Sequence, residues 1–429
     1  MAAGSDGLED LGDLDENEAE AHVRGVCFKT GPPEQTGVEL EWLVQDRSDP
    51  RALISADRLD AALAPVEAPG ALPRGSRITR EPGGQVELSS PPAPALGACV
   101  EAMATDLAVL REAADRAGLV LVGKGLDPFR KPPRVLDHPR YRAMEGYFDR
   151  EGPWGRAMMR RTASLQVNLD CGDDSPGVTG HRYRWALAHR LGPVLVAAFA
   201  NSPLGTGGPT GWLSTRQATW ARMDPGRTRH PRHHPDPGTA WAGYALDARL
   251  LCVRRPDAAG DWSAPPGLTF RDWLRGAAPD LRRPTRADLD YHLSTLFPPV
   301  RPRGWLELRM IDAQDGDDWI VPTVLAATLM DDPVAAATAW AATEPLCADL
   351  GDPLDPLPHD EVWRRAARIG PADPDLAKAA RTCFAAAESA LARSGAPAAL
   401  RQALACFAER YPERGRCPAD DQLDALSRA

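Results

Sequence analysis

The sequence predicts an α+β fold built on an antiparallel sheet with one polar face. Three observations carry this expectation. Four segments alternate apolar and polar residues with a period of two, the strand period. All four lie in the first three quarters of the 429-residue chain. Beyond about residue 321 the chain turns Ala-rich, with helical spacing. Strands gathered ahead of helices indicate α+β.

The stretch Glu81–Ser90 is the centre of the pattern. It reads as a strand entered through a Gly83-Gly84 bend, with Gln85, Glu87 and Ser89 on one face and Val86 and Leu88 on the other. Residues 37–42 put Glu39 and Glu41 on one face, backed by Val38 and Leu40. Residues 162–170 expose Ser164, Gln166, Asn168 and Asp170 against Leu165, Val167 and Leu169. Residues 305–310 expose Trp305, Glu307 and Arg309 against Leu306, Leu308 and Met310. Any one of these strands could simply be half solvated. Paired in one sheet, they make a floor of Glu39, Glu41, Glu87 and Glu307. Carboxylates that close repel one another unless cations lie between them. Hard oxygen donors suit magnesium or manganese, with nucleotide phosphates completing the shell.

Taken in order, residues 1–20 are acidic and lack aromatics, which predicts a flexible tail ahead of a catalytic domain over 21–429. That domain is expected to be strand-rich to about 312 and helical over 321–429. A short helix falls within 51–76. A longer one spans about 98–117, ended by Gly118, and a strand follows at 119–122. Residues 123–155 read as irregular and 180–200 as a helix. The Gly-rich run 205–211 is a turn, because it lacks the Lys-Ser/Thr ending of a phosphate loop. Residues 225–240 read as an exposed loop, 250–253 as a strand and 271–296 as helical. Helices near 375–393 and 398–410 carry Phe384 and Phe407 inward.

Composition excludes several function classes. Fifty basic against sixty acidic residues leave a net charge of −10, which disfavours general nucleic-acid binding. No apolar run is long enough to span a bilayer, and the first residues lack a basic-then-apolar leader, so a cytoplasmic protein is expected. Nothing points to an obligate protein partner. The eight cysteines show no Cys-x-x-Cys spacing and read as a reduced set. His230, His233 and His234 sit among prolines and arginines and read as a solvated loop. Arg160 and Arg161 precede a polar strand, where one of them could face an anion. If helical, Arg216 and Trp220 share a face, a guanidinium beside an indole.

Six motifs, Gly37-Val-Glu-Leu-Glu41, Glu81-Pro-Gly-Gly-Gln-Val-Glu-Leu-Ser89, Met158 through Asp170, Ala200-Asn-Ser-Pro203, Tyr244-Ala-Leu-Asp247 and Leu306-Glu-Leu-Arg309, run in one order. Together they resemble the plant-type glutamate–cysteine ligase family, and most of all its actinobacterial branch in ergothioneine biosynthesis. The resemblance implies a glutamine-synthetase-like sheet. It implies ATP-dependent joining of the L-glutamate γ-carboxylate to the L-cysteine amine, with Mg2+ between carboxylates and phosphates. It implies Glu39, Glu41, Glu87 and Glu307 as metal ligands, with Glu87 and Arg309 catalytic and Arg309 facing phosphate. It implies Arg216 and Trp220 as the glutamate pair, with Gln166, Asn168, Thr162, Arg140 and Tyr141 also on the substrates. Where the plant turn has Gly-Lys-Pro-Asn-Gly, this chain has Gly207-Gly-Pro-Thr-Gly211. The plant redox-regulating cysteines find no match, so that control is not carried over. Two competing readings are a ligase with a different amine acceptor and a silent glutamate- or nucleotide-binding protein.

Overall fold

The computed structural model describes residues 14–255, 260–347 and 357–428. Its centre is a seven-stranded sheet. In chain order the strands are β1 (Thr36–Asp46), β2 (Arg77–Arg80), β3 (Val86–Ser89), β4 (Leu119–Val122) and β5 (Ser164–Asp170). A separate hairpin of β6 (Leu204–Gly205) and β7 (Gly208–Pro209) follows, then β8 (Val300–Pro302) and β9 (Trp305–Asp312). The spatial order is β2-β3-β1-β5-β9-β8, with β4 on the far half of β1. All pairings are antiparallel. At 11 residues, β1 is long enough to pair β3 and β5 with its first half and β4 with its second.

Period-two alternation divides the sheet as the sequence predicts. Val38, Leu40, Val86, Leu88, Leu165, Val167, Leu306 and Leu308 are each at most 2% exposed. They pack on the helices Leu96–Arg116, His181–Ala198 and Ile320–Asp331, which form the layer behind the sheet. Helices Pro374–Arg393 and Ala398–Arg410 close that layer, with Phe384 and Phe407 against Phe199. Among the described residues no single helix is long and apolar enough to cross a membrane.

The polar face is roofed rather than solvated. Helices Pro139–Phe148 and Trp154–Arg161 contribute Met144, Tyr147, Phe148, Met158 and Met159 to a second apolar cluster, together with Phe297. Trp220 packs against it from the Thr215–Trp220 helix.

Several sequence expectations are corrected. Residues 14–20 are not a tail: a helix spans Glu16–Cys27, and Asp15 and Glu18 form its capping box. It packs on the Pro237–Asp247 helix, and Arg271 grips Glu16 and Glu20. Residues 1–13 lie outside the described residues. The segment 123–155 contains the Pro139–Phe148 helix, started by a His138 cap and Pro139 at its first turn. The 225–240 segment is partly internal, because Arg227 is buried and bonds the Thr295 carbonyl. Residues 250–253 are not a strand: only Cys252, and Arg249 just before them, make isolated bridges. The expected helix over 271–296 is two short ones, Phe270–Leu274 and Arg286–Leu293, each opened by its own Thr capping box.

Candidate active site

The polar face and its roof enclose a cavity of about 250 Å³. Its floor brings together Glu39 and Glu41 from β1, Glu87 from β3, Gln166 from β5 and Arg309 from β9. Its opposite wall holds Arg140, Tyr141, Thr162 and Trp220. The glycine turn before β3 packs directly on the end of the Trp154–Arg161 helix. Gly84 takes φ +88°, and a Cβ on Gly83 would lie 2.2 Å from the Arg160 carbonyl oxygen. The tight Glu81–Gln85 turn also places Glu81 on the cavity wall.

Register puts the acids face to face. Glu41 pairs directly with Glu87 across β1 and β3, and Glu39 pairs with Gln166 across β1 and β5. Amides and hydroxyls hold them. Asn168 Nδ2 donates to Glu39 at 3.1 Å, and Gln166 Nε2 donates to Glu41 at 3.1 Å. The Ser164 N–H donates to Glu41 at 2.7 Å, and the Thr79 hydroxyl donates to Glu87 at 2.6 Å. These contacts leave the negative charge largely uncompensated. Burial, then the charges of Glu307 and Glu87, push Glu39 up to about 7. Burial and Glu41 raise Glu87, and burial with Glu87 and Glu41 raises Glu81 well above the carboxylate range. Glu41 is also raised by burial, although Arg216 and Arg309 oppose it.

Glu307 differs. It is 0% exposed and does not line the cavity. Arg301 grips it with Nε at 2.7 Å and Nη2 at 2.9 Å, and Arg309 Nη1 donates to it as well. Burial alone would raise its pKa, but these guanidinium charges hold it down at about 2. Its carboxylate is therefore already neutralised by protein. Among the described residues no three His, Cys, Asp or Glu side chains converge into a ready-made cation cage. The donor set nevertheless suits a hard cation: Glu39, Glu41, Glu81 and Glu87 are oxygen donors whose charge the fold leaves unpaired.

The remaining predicted residues divide into wall and support. Arg216 is 2% exposed and does not itself line the cavity; from its helix only Trp220 reaches the wall. Its Nη2 donates to the Arg309 carbonyl at 2.7 Å, and its guanidinium lies 4.9 Å from the Trp220 ring centre. Its Nε and Nη1 have no hydrogen-bond partner among the described residues. Arg140 donates to the Ser294 hydroxyl and carbonyl, both at 2.9 Å, and faces Tyr291. Tyr141 is on the wall, where burial lifts its phenol to about 12. Thr162 lines the cavity, but its hydroxyl donates to the Met158 carbonyl. Asn168 lies behind Glu39 and orients it. Asp170 accepts the N–H groups of Glu34 and Gln35, away from the cavity. Arg160 and Arg161 end a helix rather than starting a strand and bond Glu145 and the Asp127 carbonyl. His233 and His234 are exposed.

Sequence reasoning missed Glu81, Arg301, Arg303 and Ser294 on the wall. Glu81 was signalled by its place in the Gly-Gly turn. Arg301 and Arg303 follow the alternation of the short strand β8 into β9, too short to read alone.

A model of glutamate–cysteine ligase family 2 matches residues 35–428. The chain belongs to this family. It is 43% identical over 416 residues to the glutamate–cysteine ligase EgtA of Mycolicibacterium smegmatis, covering 95% of this chain and 91% of that one. The Mycobacterium tuberculosis EgtA is 41% identical over 97% of this chain and 92% of its own. A chloroplastic glutamate–cysteine ligase of Medicago truncatula is 34% identical over 56% of this chain and 47% of its own. In fold alone, a bifunctional glutathione synthetase from Pasteurella multocida aligns with a TM-score of 0.50 at 14% identity over 96% of this chain. This chain spans 51% of that longer protein.

Proposed function

We propose that this family member is a glutamate–cysteine ligase that makes γ-glutamylcysteine, ADP and phosphate from L-glutamate, L-cysteine and ATP, for ergothioneine biosynthesis. The observation that carries the reading is a walled cavity whose floor sets a cluster of carboxylates beside Arg309, in a chain 43% identical to a named EgtA along nearly its whole length.

A carboxylate does not condense with an amine in water without activation. In the first step a γ-carboxylate oxygen of glutamate attacks the terminal phosphorus of ATP, and ADP leaves. In the second the cysteine amine attacks the acyl phosphate carbon and loses a proton, and phosphate departs. No protein nucleophile is needed. The protein's task is positioning and charge neutralisation.

Trp220 on the cavity wall and Arg216 buried against its ring hold glutamate, with the unpartnered Nε and Nη1 of Arg216 assigned to its α-carboxylate. Arg309, with Arg303 beside it, takes the transferring phosphoryl group. Arg140 and Tyr141 face the acceptor amino acid from the roof. Glu39, Glu41, Glu87 and Glu81 would hold Mg2+, which when bound offsets the charge of phosphates and carboxylates. Glu307 serves this set through its arginines, and it becomes a metal ligand only by releasing them.

The test is ADP release across a panel of amino acids, singly and in pairs, with mass detection of the product. Release that requires glutamate together with cysteine, and yields γ-glutamylcysteine, is expected. Release with another acceptor at higher kcat/KM reassigns the acceptor. ATP or glutamate binding without any turnover leaves the silent-binder reading.

A further inference from the structure

Strict alternation from Glu307 would send Asp312 to the apolar side of β9. The structure does otherwise. Leu165 pairs with Ile311 but Val167 pairs with Leu308, so β9 carries one extra residue over that step. Beyond this bulge Asp312 pairs with Ser164 and joins the polar side. There it is 2% exposed, and the Gly125 backbone lies so close that a Cβ would meet its carboxyl carbon at 2.5 Å.

Both of its oxygens are engaged. Oδ2 accepts the Asn201 N–H at 2.9 Å and the Ser202 hydroxyl at 2.7 Å. Oδ1 accepts the Ser214 hydroxyl at 3.0 Å and lies 3.7 Å from Arg216 Nη1. A serine hydroxyl has a single proton. Once it is donated to Asp312, the oxygen offers only lone pairs to the rest of its surroundings. The Ser202 oxygen accepts the Arg216 N–H and the Ser214 oxygen accepts the Gln217 N–H, each at 3.1 Å. These amides belong to the first turn of the Thr215–Trp220 helix, whose opening amides have no partner within the helix. That helix is six residues long and carries both Arg216 and Trp220.

We propose that Asp312 is a positioning residue for the glutamate site: through Ser202 and Ser214 it fixes the short helix that aims Arg216 and Trp220. It also balances the Arg216 charge from beyond hydrogen-bond distance, which leaves Nε and Nη1 for the ligand. The inference rests on the function proposed above only for the identity of the ligand. An amide at this position keeps shape and size but presents a donor where an oxygen accepted. The serine facing that donor can no longer give its proton there, so its hydroxyl is no longer held with a lone pair on the helix amide, the cap weakens, and the counter-charge to Arg216 is lost.

The test compares the full-length wild type with Asp312→Asn, Ser202→Ala, Ser214→Ala and the conservative Ser202→Thr and Ser214→Thr variants. KM for glutamate, cysteine and ATP and kcat are measured beside thermal melting. Losing one cap of about 1 kcal/mol corresponds to roughly fivefold in an equilibrium constant. Each Ser→Ala change is therefore expected to raise the glutamate KM about fivefold, and Asp312→Asn tenfold or more, with the ATP KM within about twofold of wild type. The Thr variants, which keep the hydroxyl, should recover most of the wild-type glutamate KM. If all three KM values move together with melting temperature, or the glutamate KM of a folded variant does not move, Asp312 is only a structural acid and the proposal fails. If Asp312→Asn does not fold, the serine variants decide by the same criteria. If the wild type uses another carboxylate in place of glutamate, the proposed function fails instead, and the same comparison is read from the KM of that carboxylate.

Discussion

The two ends of the polar sheet face carry the same residue type under opposite electrostatics. At the β1–β3 end, Glu41 faces Glu87 directly, Glu39 and Glu81 lie on the same wall, and burial raises all four from their ordinary value. At the β8–β9 end, Glu307 is more deeply buried but lies between Arg301 and Arg309, which hold it at about 2. Burial alone thus does not decide the state of a carboxylate. What decides it is whether the fold supplies a cation. On the function proposed above, the first end receives positive charge with the substrates, while the second holds Arg301 and Arg309 against a permanent counter-charge.

The largest expected effect breaks that symmetry at the acidic end. Glu87→Gln should lower kcat by about a thousandfold or more, because a ligand of the phosphate-neutralising set is lost. The same change relieves repulsion with Glu41, so the ligand-free protein should melt no lower than wild type. Turnover near wild type at saturating magnesium would remove Glu87 from the site.

Glu307→Gln should also nearly abolish turnover, but with the opposite effect on stability. It leaves the buried Arg301 and the partly buried Arg309 without their carboxylate, and breaking a buried pair costs about 3–5 kcal/mol. Melting should drop by several degrees. Equal melting of the Glu87 and Glu307 variants would erase the contrast between the two ends.

Arg216→Ala should raise the glutamate KM by about ten- to a hundredfold, with a smaller change in kcat, as expected for an interaction made in ground and transition states alike. A rise confined to the ATP KM would move Arg216 to the nucleotide side.

The smallest effect is a pH trend. Glu39 has a folded pKa of about 7 against an ordinary value of 4.5, so between these the folded state binds more protons than the unfolded one. Stability of the ligand-free protein should then fall as pH rises from about 4.5 to about 7. Glu307 contributes in the opposite sense: its stabilisation is present above 4.5 and lost as pH falls toward 2. Added magnesium should flatten the upper trend, and its affinity should increase through pH 7 as Glu39 gives up its proton. Melting scans from pH 5 to 8 with and without magnesium check both. A ligand-free protein whose melting rises steadily over that range would show that the acidic end is already compensated.

Much of this site was legible before any coordinates. Side chains alternate along a strand whatever surrounds it, so Glu39, Glu41, Glu87, Gln166 and Arg309 could be assigned to one face from spacing alone. The helical period likewise put Arg216 beside Trp220. Local signals failed where short elements take their structure from packing. The Glu16–Cys27 helix was obscured by its acidic lead-in, and the roof helix Pro139–Phe148 by its prolines and arginines.

The sequence by itself determined the alternating faces, the helical layer behind them and the residue types that chemistry on a phosphate and a carboxylate requires. Tertiary structure alone decided which acids meet. The Glu41–Glu87 pairing, the grip of Arg301 on Glu307 and the burial of Arg216 all depend on register and on partners distant along the chain. The sharpest case is Asp312, for which one bulged residue reverses the face that alternation predicts. Period two propagates along a strand only while the ladder is regular, and whether the ladder stays regular depends on the neighbouring strand.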